Sequence, residues 1–346
     1  MTTNSLKWLA LAILAVLLLA FPRLFTQSFL QRTMILILLW SVLGLAWNVI
    51  GGYAGQVSLG HAIFFGLGAY TSTLMLTKWG ISPWIGMFAG AAVAAGVSAI
   101  IGWPSFRLAG HYFAIATIAA GEIFAVMFRN WDWAGAAVGV YLPIIRGDQI
   151  ANFQFHEARQ GYYYIILAML AITLLLTYVI ERSRVGYYLK AIREDPDAAR
   201  SLGINITRYK LYAIVISAAI TAIAGTFYAQ FVLYISPNTV FALLLSIQMC
   251  LVAILGGTGT LAGPIIGAAI LIPMAEYTRV YLAGRAGGLH LVVYGLLIML
   301  ISIYQPAGLM GLFRQWQQRW ARPAREAGLA ATAAGRSEEA DGAVGD

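Results

Sequence analysis

Ser58 and His61 are the first side chains in this sequence whose types and spacing could do chemistry. Three residues apart on a helix, they would share one face, as a nucleophile and its base require. The surrounding residues read G-x-x-S-x-G rather than the G-x-S-x-G of a nucleophile elbow. No predicted strand leads into the motif, and no acidic residue nearby could orient the histidine. We therefore expect no catalytic residues here.

The sequence does not support a metal site or a cofactor site either. His61, His111, His156 and His290 are too scattered to predict a metal site. The pattern G-x-x-x-x-G-K-[ST] is absent, and the glycine-rich GGTGTLAGP contains no lysine, so we expect no phosphate binding through a P-loop. The single cysteine, Cys250, excludes an intramolecular disulfide and is expected to be a buried core residue. The sequence predicts neither a cofactor nor a metal.

Composition indicates the class of protein. About 60% of the 346 residues are hydrophobic and 10% are charged, whereas a soluble domain carries roughly 25% charged residues. The recurring apolar blocks are close to the ~20 residues that a helix needs to cross a bilayer, and the alternation of an outer-membrane barrel is missing. The net charge of +8 lies mainly between these blocks, which favours membrane topology over nucleic-acid binding. The predicted fold class is an all-α polytopic membrane protein.

The apolar blocks predict about ten transmembrane helices, at residues 7–22, 31–50, 60–77, 84–103, 110–129, 162–180, 210–232, 240–256, 260–276 and 288–304. The first resembles a signal peptide, but no clean cleavage site follows it, so we expect it to be retained. The basic loop at 181–210 and the arginines of the tail predict that both chain termini are cytoplasmic and that the loop at 130–161 faces outward. A membrane domain at 1–312 would then precede a largely disordered cytoplasmic tail at 313–346.

Two glycine pairs, Gly51-Gly52 and Gly256-Gly257, interrupt the spans in a similar way. Small residues spaced four apart begin the helix after each pair, which favours close helix packing. The breaks are either short cytoplasmic turns between packed helices or unwound backbone that lines a translocation path. Gln56, Ser58 and His61 must face protein or water. The candidate path residues are Gly52, Gly55, Gln56, Ser58, Gly60, His61, Glu122, Gly256, Gly257, Gly259 and Gly263.

Glu122 is an acidic residue inside a predicted span, and such a residue is by default a functional candidate. It could carry protons, bind the ammonium group of a substrate, pair with Arg129 two turns later, or make polar contacts with neighbouring helices. The sequence alone leaves these roles open.

The loop at 181–210 predicts two short amphipathic helices. Leu189 and Ile192 give the first an apolar face, and Asp195 as N-cap followed by Pro196 begins the second. Gly203 suits its C-terminal end. From the residues alone, this surface is a solvated connector, a segment on anionic lipid or a dock for a partner.

Four ordered blocks carry a resemblance to a known family. They are GGYAGQVSLGHAIFFGLGAYTSTLM, FRLAGHYFAIATIAAGEIF, GYYLKAIREDPDAARSLGINITRYKLYAIVISAAITAIAGTFYA and LGGTGTLAGPIIGAAIL. They resemble the inner-membrane permease subunits of branched-chain amino-acid ABC importers, in the LivM-like branch, over about residues 33 to 312. The chain departs from the family after the fifth span, where a T-G-G-type stretch is replaced by WDWAGAAVGVYLP.

The resemblance implies a transport permease, not an enzyme, in the bacterial inner membrane. The implied partners are two cytoplasmic ABC ATPase subunits, a second related permease in a heterodimer, an external solute-binding protein and membrane lipid. The loop at 181–210 would be the coupling segment that docks on the ATPase, through Tyr187, Leu189, Arg193, Glu194, Asp195, Pro196, Ala199, Leu202 and Gly203. Rival hypotheses are the same machine importing urea or short amides, an ion-coupled secondary transporter with Glu122 as carrier, and a membrane enzyme.

Overall fold

The computed structural model describes residues 13, 16–25, 27–108, 110–144, 150–155, 160–282, 292, 295, 296, 299 and 309–311. Residues 16–24 are helical. The helices that follow are α1 (Ser28–Asn48), α2 (His61–Trp79), α3 (Pro83–Ser105), α4 (His111–Arg129), α5 (Gln160–Arg182), α6 (Arg184–Glu194), α7 (Pro196–Ser201), α8 (Ile206–Val232), α9 (Pro237–Val240), α10 (Leu243–Gly256) and α11 (Gly263–Leu282). A π-helical turn, Val49–Tyr53, extends α1, and 3-10 turns lie at Asp132–Ala134, Ala136–Val138 and Ile150–Asn152.

Six helical segments of the described residues are long and apolar enough to cross a membrane: Ser28–Tyr53, Pro83–Ser105, His111–Arg129, Gln160–Arg182, Ile206–Val232 and Pro237–Gly256. They match six of the predicted spans. The predicted spans at 60–77 and 260–276 form α2 and α11, which are not among the six. Most of the predicted spans at 7–22 and 288–304 lies outside the described residues, as does the tail at 313–346. A helical membrane protein is confirmed, but the count of about ten spans is not.

Two helices, α1 and α8, form the centre of the described part. Helix α8 packs against α1, α2 and α3, and α1 also packs against α5, α10 and α11. In the most apolar stretch of α1 with its π-turn, 78% of the residues are buried, against 28% in α4. Helices α3, α4 and α5 therefore present apolar side chains to their surroundings, including Phe88, Trp103, Ile115, Ile123 and Ile172. Such a surface suits lipid or another membrane subunit.

Glycines allow α2 and α8 to approach closely. A Cβ at Gly68 would collide with the backbone carbonyl of Ala222, and one at Gly225 would collide with the carbonyl of Phe65. The hydroxyl of Thr226 donates to the carbonyl oxygen of Gly68 at 3.0 Å, which joins the two helices at the same level. Small residues that let backbones approach are the usual basis of helix packing in membranes.

A short β-ribbon departs from the all-helical prediction. Strand β1 (Val140–Tyr141) pairs antiparallel with β2 (Tyr234–Ile235), which ties the segment after α4 to the end of α8. Gly139 has φ of 83°, and a Cβ there would collide with the carbonyl of Ile235. Two-residue strands give no periodic signal, so the sequence did not predict them.

We expect Gly68→Ala to lower the thermal stability of the purified protein in detergent. The added methyl must separate α2 from the carbonyl of Ala222, and overpacking of this kind costs about 1–3 kcal/mol. Gly96→Ala, in α3, is the matched control because no atom lies within 4 Å of a Cβ at that position. Equal thermal-unfolding midpoints for the two variants would contradict this packing account.

Candidate functional site

The two glycine breaks lie against each other where α1 and α10 end. The first does not end the helix at Ile50 as predicted, because the π-turn carries it to Tyr53 before α2 begins at His61. The second follows α10, and the backbone there takes positive φ at Gly257 and Gly259. A Cβ on Gly52 would come within 2.6 Å of the Gly259 nitrogen. The two breaks are therefore in direct contact.

Asn48 joins the second break to α1. Its side chain is fully buried, its Oδ1 accepts from the N–H of Gly259 at 2.8 Å, and its Nδ2 donates to the carbonyl of Thr260 at 3.0 Å. One side-chain amide thus forms hydrogen bonds with two backbone groups that lie outside the helices. The sequence analysis missed Asn48, although an amide inside the apolar run LAWNVI was a usable signal.

Ser58 and His61 form a closed hydrogen-bonded chain with Ser217 of α8. The Ser217 hydroxyl donates to the carbonyl of Ala46 at 2.6 Å, so it accepts from His61 Nε2 at 2.8 Å. His61 Nδ1 then accepts from the Ser58 hydroxyl at 3.0 Å. The side chains of Ser58 and His61 are almost completely buried. Because each polar atom already has a partner, this serine and histidine clamp the first break to α1 and α8.

The first break also contacts α4. The backbone N–H of Leu59 donates to Thr117 Oγ1 at 3.0 Å, and a Cβ on Gly60 would lie 2.7 Å from the carbonyl oxygen of Thr117. On the other side, the indole of Trp47 donates to the carbonyl of Ser58 at 2.8 Å. Contacts with α1, α4 and α8 therefore hold the segment between α1 and α2 in place.

Most of the predicted path residues are closed off in this conformation. Those buried are Gly52, Ser58, Gly60, His61, Gly256, Gly257 and Gly263, while Gln56 and Gly259 are half-buried and Gly55 is exposed. A cavity of about 10 Å³ lies between Leu59, Glu122 and Ser246, which is room for roughly one water molecule. The structure brings the two breaks together as a packed contact.

Glu122 lies on α4, where it lines the small cavity next to Leu59. Its side chain is 58% exposed, and its Oε2 lies 3.5 Å from Nη2 of Arg129. The pairing with Arg129, one of the four roles that the sequence left open, is present in the structure. The pair sits on the least buried span, so lipid or another subunit must cover it.

The segment between α5 and α8 folds as the predicted pair of short helices. Asp195 Oδ1 caps α7 by accepting from the N–H groups of Asp197 and Ala198 at 2.9 and 3.0 Å, and Pro196 stands at the first helical position. Gly203 follows the helix with φ of 81°. We call α6 and α7, Arg184–Ser201, the coupling segment.

The guanidinium of Arg193 reaches the glycine breaks, and because Arg193 is also exposed, its predicted contact with a partner stays a prediction. Its Nη1 donates to the carbonyl oxygen of Gly52 at 2.5 Å. A Cβ added to Gly259 would lie 2.6 Å from Nη1 of Arg193. A Cβ added to Gly55 would lie 2.9 Å from Cγ of Arg193. One guanidinium therefore touches both breaks and joins them to the coupling segment.

A second connection runs beside Arg193. Lys190 Nζ donates to Glu181 Oε1 at 3.0 Å, and the Tyr53 hydroxyl donates to Glu181 Oε2 at 3.4 Å. Lys190 also lies 5.6 Å from the centre of the Tyr53 ring. The last turn of α5, the π-turn and α6 are thereby tied together.

Two predicted docking residues need correction. Leu189 is fully buried and Ala199 is 2% exposed, so these side chains hold the coupling segment together rather than present a surface. Tyr187 and Leu202 are 63% and 80% exposed, and Glu194 is also exposed. The predicted docking residues Arg193, Asp195, Pro196 and Gly203 are exposed as well.

The geometry suits movement of segments rather than bond chemistry. Among the described residues, no three of His, Cys, Asp and Glu come together as metal ligands would. The polar side chains at the breaks bind backbone groups of their own chain. What the site can do is open or close contacts between α1, α10 and the coupling segment.

We expect Ser217→Ala to destabilise the folded protein. The change removes the donor to Ala46 and the acceptor for His61, and each buried group left without a partner costs about 1–3 kcal/mol. Ser72→Ala, in α2, is the control because, among the described residues, that buried hydroxyl binds the carbonyl of Ala69 in its own helix and no other group. A thermal-unfolding midpoint no lower for Ser217→Ala than for Ser72→Ala would refute the clamp.

Comparison with known proteins relates this arrangement to transport permeases. The permease protein LivM of the high-affinity branched-chain amino acid transport system of Salmonella typhimurium is 30% identical over 80% of this chain and 69% of its own length. The LivH permease of the same system and organism is 28% identical over 79% of this chain and 91% of its own. PsaBC from Streptococcus pneumoniae, solved in complex with Fab, has a TM-score of 0.42 and 14% identity, covering 84% of this chain and 96% of that one.

A family model described as branched-chain amino acid transport system / permease component matches residues 29–302. This range includes α1, both glycine breaks, the coupling segment and α11. The chain therefore belongs to this family of transport-system permease components.

Proposed function

We propose that this chain is a membrane-spanning permease subunit of an ATP-driven importer that carries branched-chain amino acids across the bacterial inner membrane. The family match and the names of the LivM and LivH relatives support the substrate class. The arrangement of Arg193, which joins a surface segment to both glycine breaks, supports the mechanism. The comparisons favour neither urea nor short amides.

The proposed importer also implies the partner subunits of this chain. The similarity to two differently named permeases, LivM and LivH, supports a heterodimer of related subunits. The exposed apolar faces of α3, α4 and α5, together with the Glu122–Arg129 pair, offer surface for the second permease and for lipid. Two cytoplasmic ATPases and an external solute-binding protein complete the assembly, and both termini of this chain are cytoplasmic.

The coupling segment provides the route for the ATPase movement. Tyr187, Glu194 and Leu202 form the exposed docking surface. Closure of the ATPase dimer displaces α6 and α7, and Arg193 transmits this displacement to the carbonyl of Gly52. Because that carbonyl lies in a π-turn, the local backbone can rearrange without breaking a long helix. The breaks then separate and open the path, and the solute crosses unchanged.

ATP should drive leucine uptake in proteoliposomes that contain this chain with the second permease, the ATPases and the binding protein encoded by adjoining genes. We expect uptake to stop when ATP is depleted at a constant proton gradient. Glu122→Gln should retain most of the rate because the carboxylate pairs with Arg129 rather than carrying protons. Uptake that follows the proton gradient and disappears in Glu122→Gln would support a secondary transporter instead, and uptake of urea but not leucine would overturn the substrate.

Arg193→Ala should uncouple transport from ATP hydrolysis. The lost hydrogen bond involves a charged donor and is worth about 1.5–3 kcal/mol, so we expect uptake to fall roughly tenfold or more while the ATPases still bind. Arg193→Lys should restore part of the rate, and Arg184→Ala on the same helix is the control for loss of charge. Leu202→Asp should release the ATPases. Release of the ATPases by Arg193→Ala would show that Arg193 docks on the partner, as the sequence first indicated.

A further inference from the structure

A cavity of about 300 Å³ lies at the ends of α1 and α11 that are far from the glycine breaks. It is bounded by α1, α2, α8, α9, α10 and α11. We propose that this cavity is a binding subsite for a zwitterion with an apolar side chain, the α-amino acid class. The proposal rests on the proposed function, which supplies the substrate class and places this end of the protein outside.

Charged groups of both signs lie at the cavity. Arg32, Glu276 and Arg279 line it, so its formal charge is positive. Glu276 is only 8% exposed, and its Oε1 lies 3.1 Å from Nη2 of Arg279. Arg32 makes no ion pair with any described residue. It is therefore available for a carboxylate, and Glu276 lines the same cavity for an ammonium group.

The remainder of the cavity is mainly apolar. On α1 the lining residues are Arg32, Leu36, Leu39, Trp40 and Leu43, a spacing that puts them on one helix face with the charge at its end. From Arg32 to Leu43 this face runs roughly 16 Å along the axis. Phe65 lies across the cavity. An aliphatic side chain can thus point inward while the charged groups of the ligand stay at the mouth.

The volume fits the same class of ligand. About 300 Å³ lies at the lower end of the volumes of small-molecule sites, which admits a single amino acid. Guanidinium binds carboxylate in a fixed bidentate geometry, so an uncharged amide or urea would leave both charged partners of the cavity unused. The cavity therefore predicts a preference for leucine over urea and over 4-methylpentanoate, which lacks the ammonium group.

Cysteine protection tests the subsite directly. Asn238 is exposed and lines the cavity, and Val138 is 73% exposed and does not line it. In the complete importer in proteoliposomes, saturating leucine should slow maleimide modification of Asn238→Cys at least fivefold and leave Val138→Cys unchanged. Urea and 4-methylpentanoate should protect neither. The buried Cys250 stays in place, and the unmodified chain gives its background.

Uptake kinetics provide the second measurement. Arg32→Gln should raise the apparent KM for leucine about tenfold. Leu39→Trp, which fills the apolar end of the cavity, should raise the apparent KM by a similar factor while the importer still assembles. If Asn238→Cys still imports leucine with ATP but leucine gives no protection, the subsite is wrong and the proposed function stands. If the wild-type importer moves no leucine, the proposed function itself is wrong. Equal protection at residues 138 and 238 would also overturn the subsite.

Discussion

Backbone groups that leave a helix inside a membrane protein must find partners within the protein, because lipid offers none and each unsatisfied group costs several kcal/mol. This chain leaves its helices twice among the packed spans, at the two glycine breaks. Asn48, Trp47 and Thr117 supply side-chain partners there, and Arg193 supplies one from the coupling segment. The positions of α1, α2, α10 and α11 depend on these few contacts, and so does any movement between them.

The two ends of the molecule differ in a way that suits transport. At the glycine breaks the backbones of Gly52 and Gly259 are in contact, while a cavity of about 300 Å³ lies at the far ends of α1 and α11. A transporter that exposes its site to one side at a time needs one closed end and one accessible end in each state. The coupling segment contacts the closed end through Arg193, so a displacement of that segment reaches the contact between the breaks directly.

Sequence reasoning succeeded where the signal was local. The glycine pairs predicted both breaks, and Asp195 with Pro196 predicted the start of α7, because cap and turn chemistry depends on neighbouring residues. It failed where the partner lies far along the chain. Ser217, 156 residues from His61, decides that this histidine is a structural clamp, and no spacing rule could reveal it. The contact of Arg193 with Gly52 was not predicted for the same reason, since its acceptor is 141 residues away.

Helix α8 has 27 residues without a break, which makes it about 40 Å long. Asn205 caps its first turn directly after the coupling segment, and strand β2, which joins the segment after α4 through β1, begins two residues after its last. A rigid helix of this length that tilts at one end must also move at its other end. The ribbon and the coupling segment therefore adjoin opposite ends of one continuous helix, so a force applied to the ribbon also acts on the coupling segment about 40 Å away.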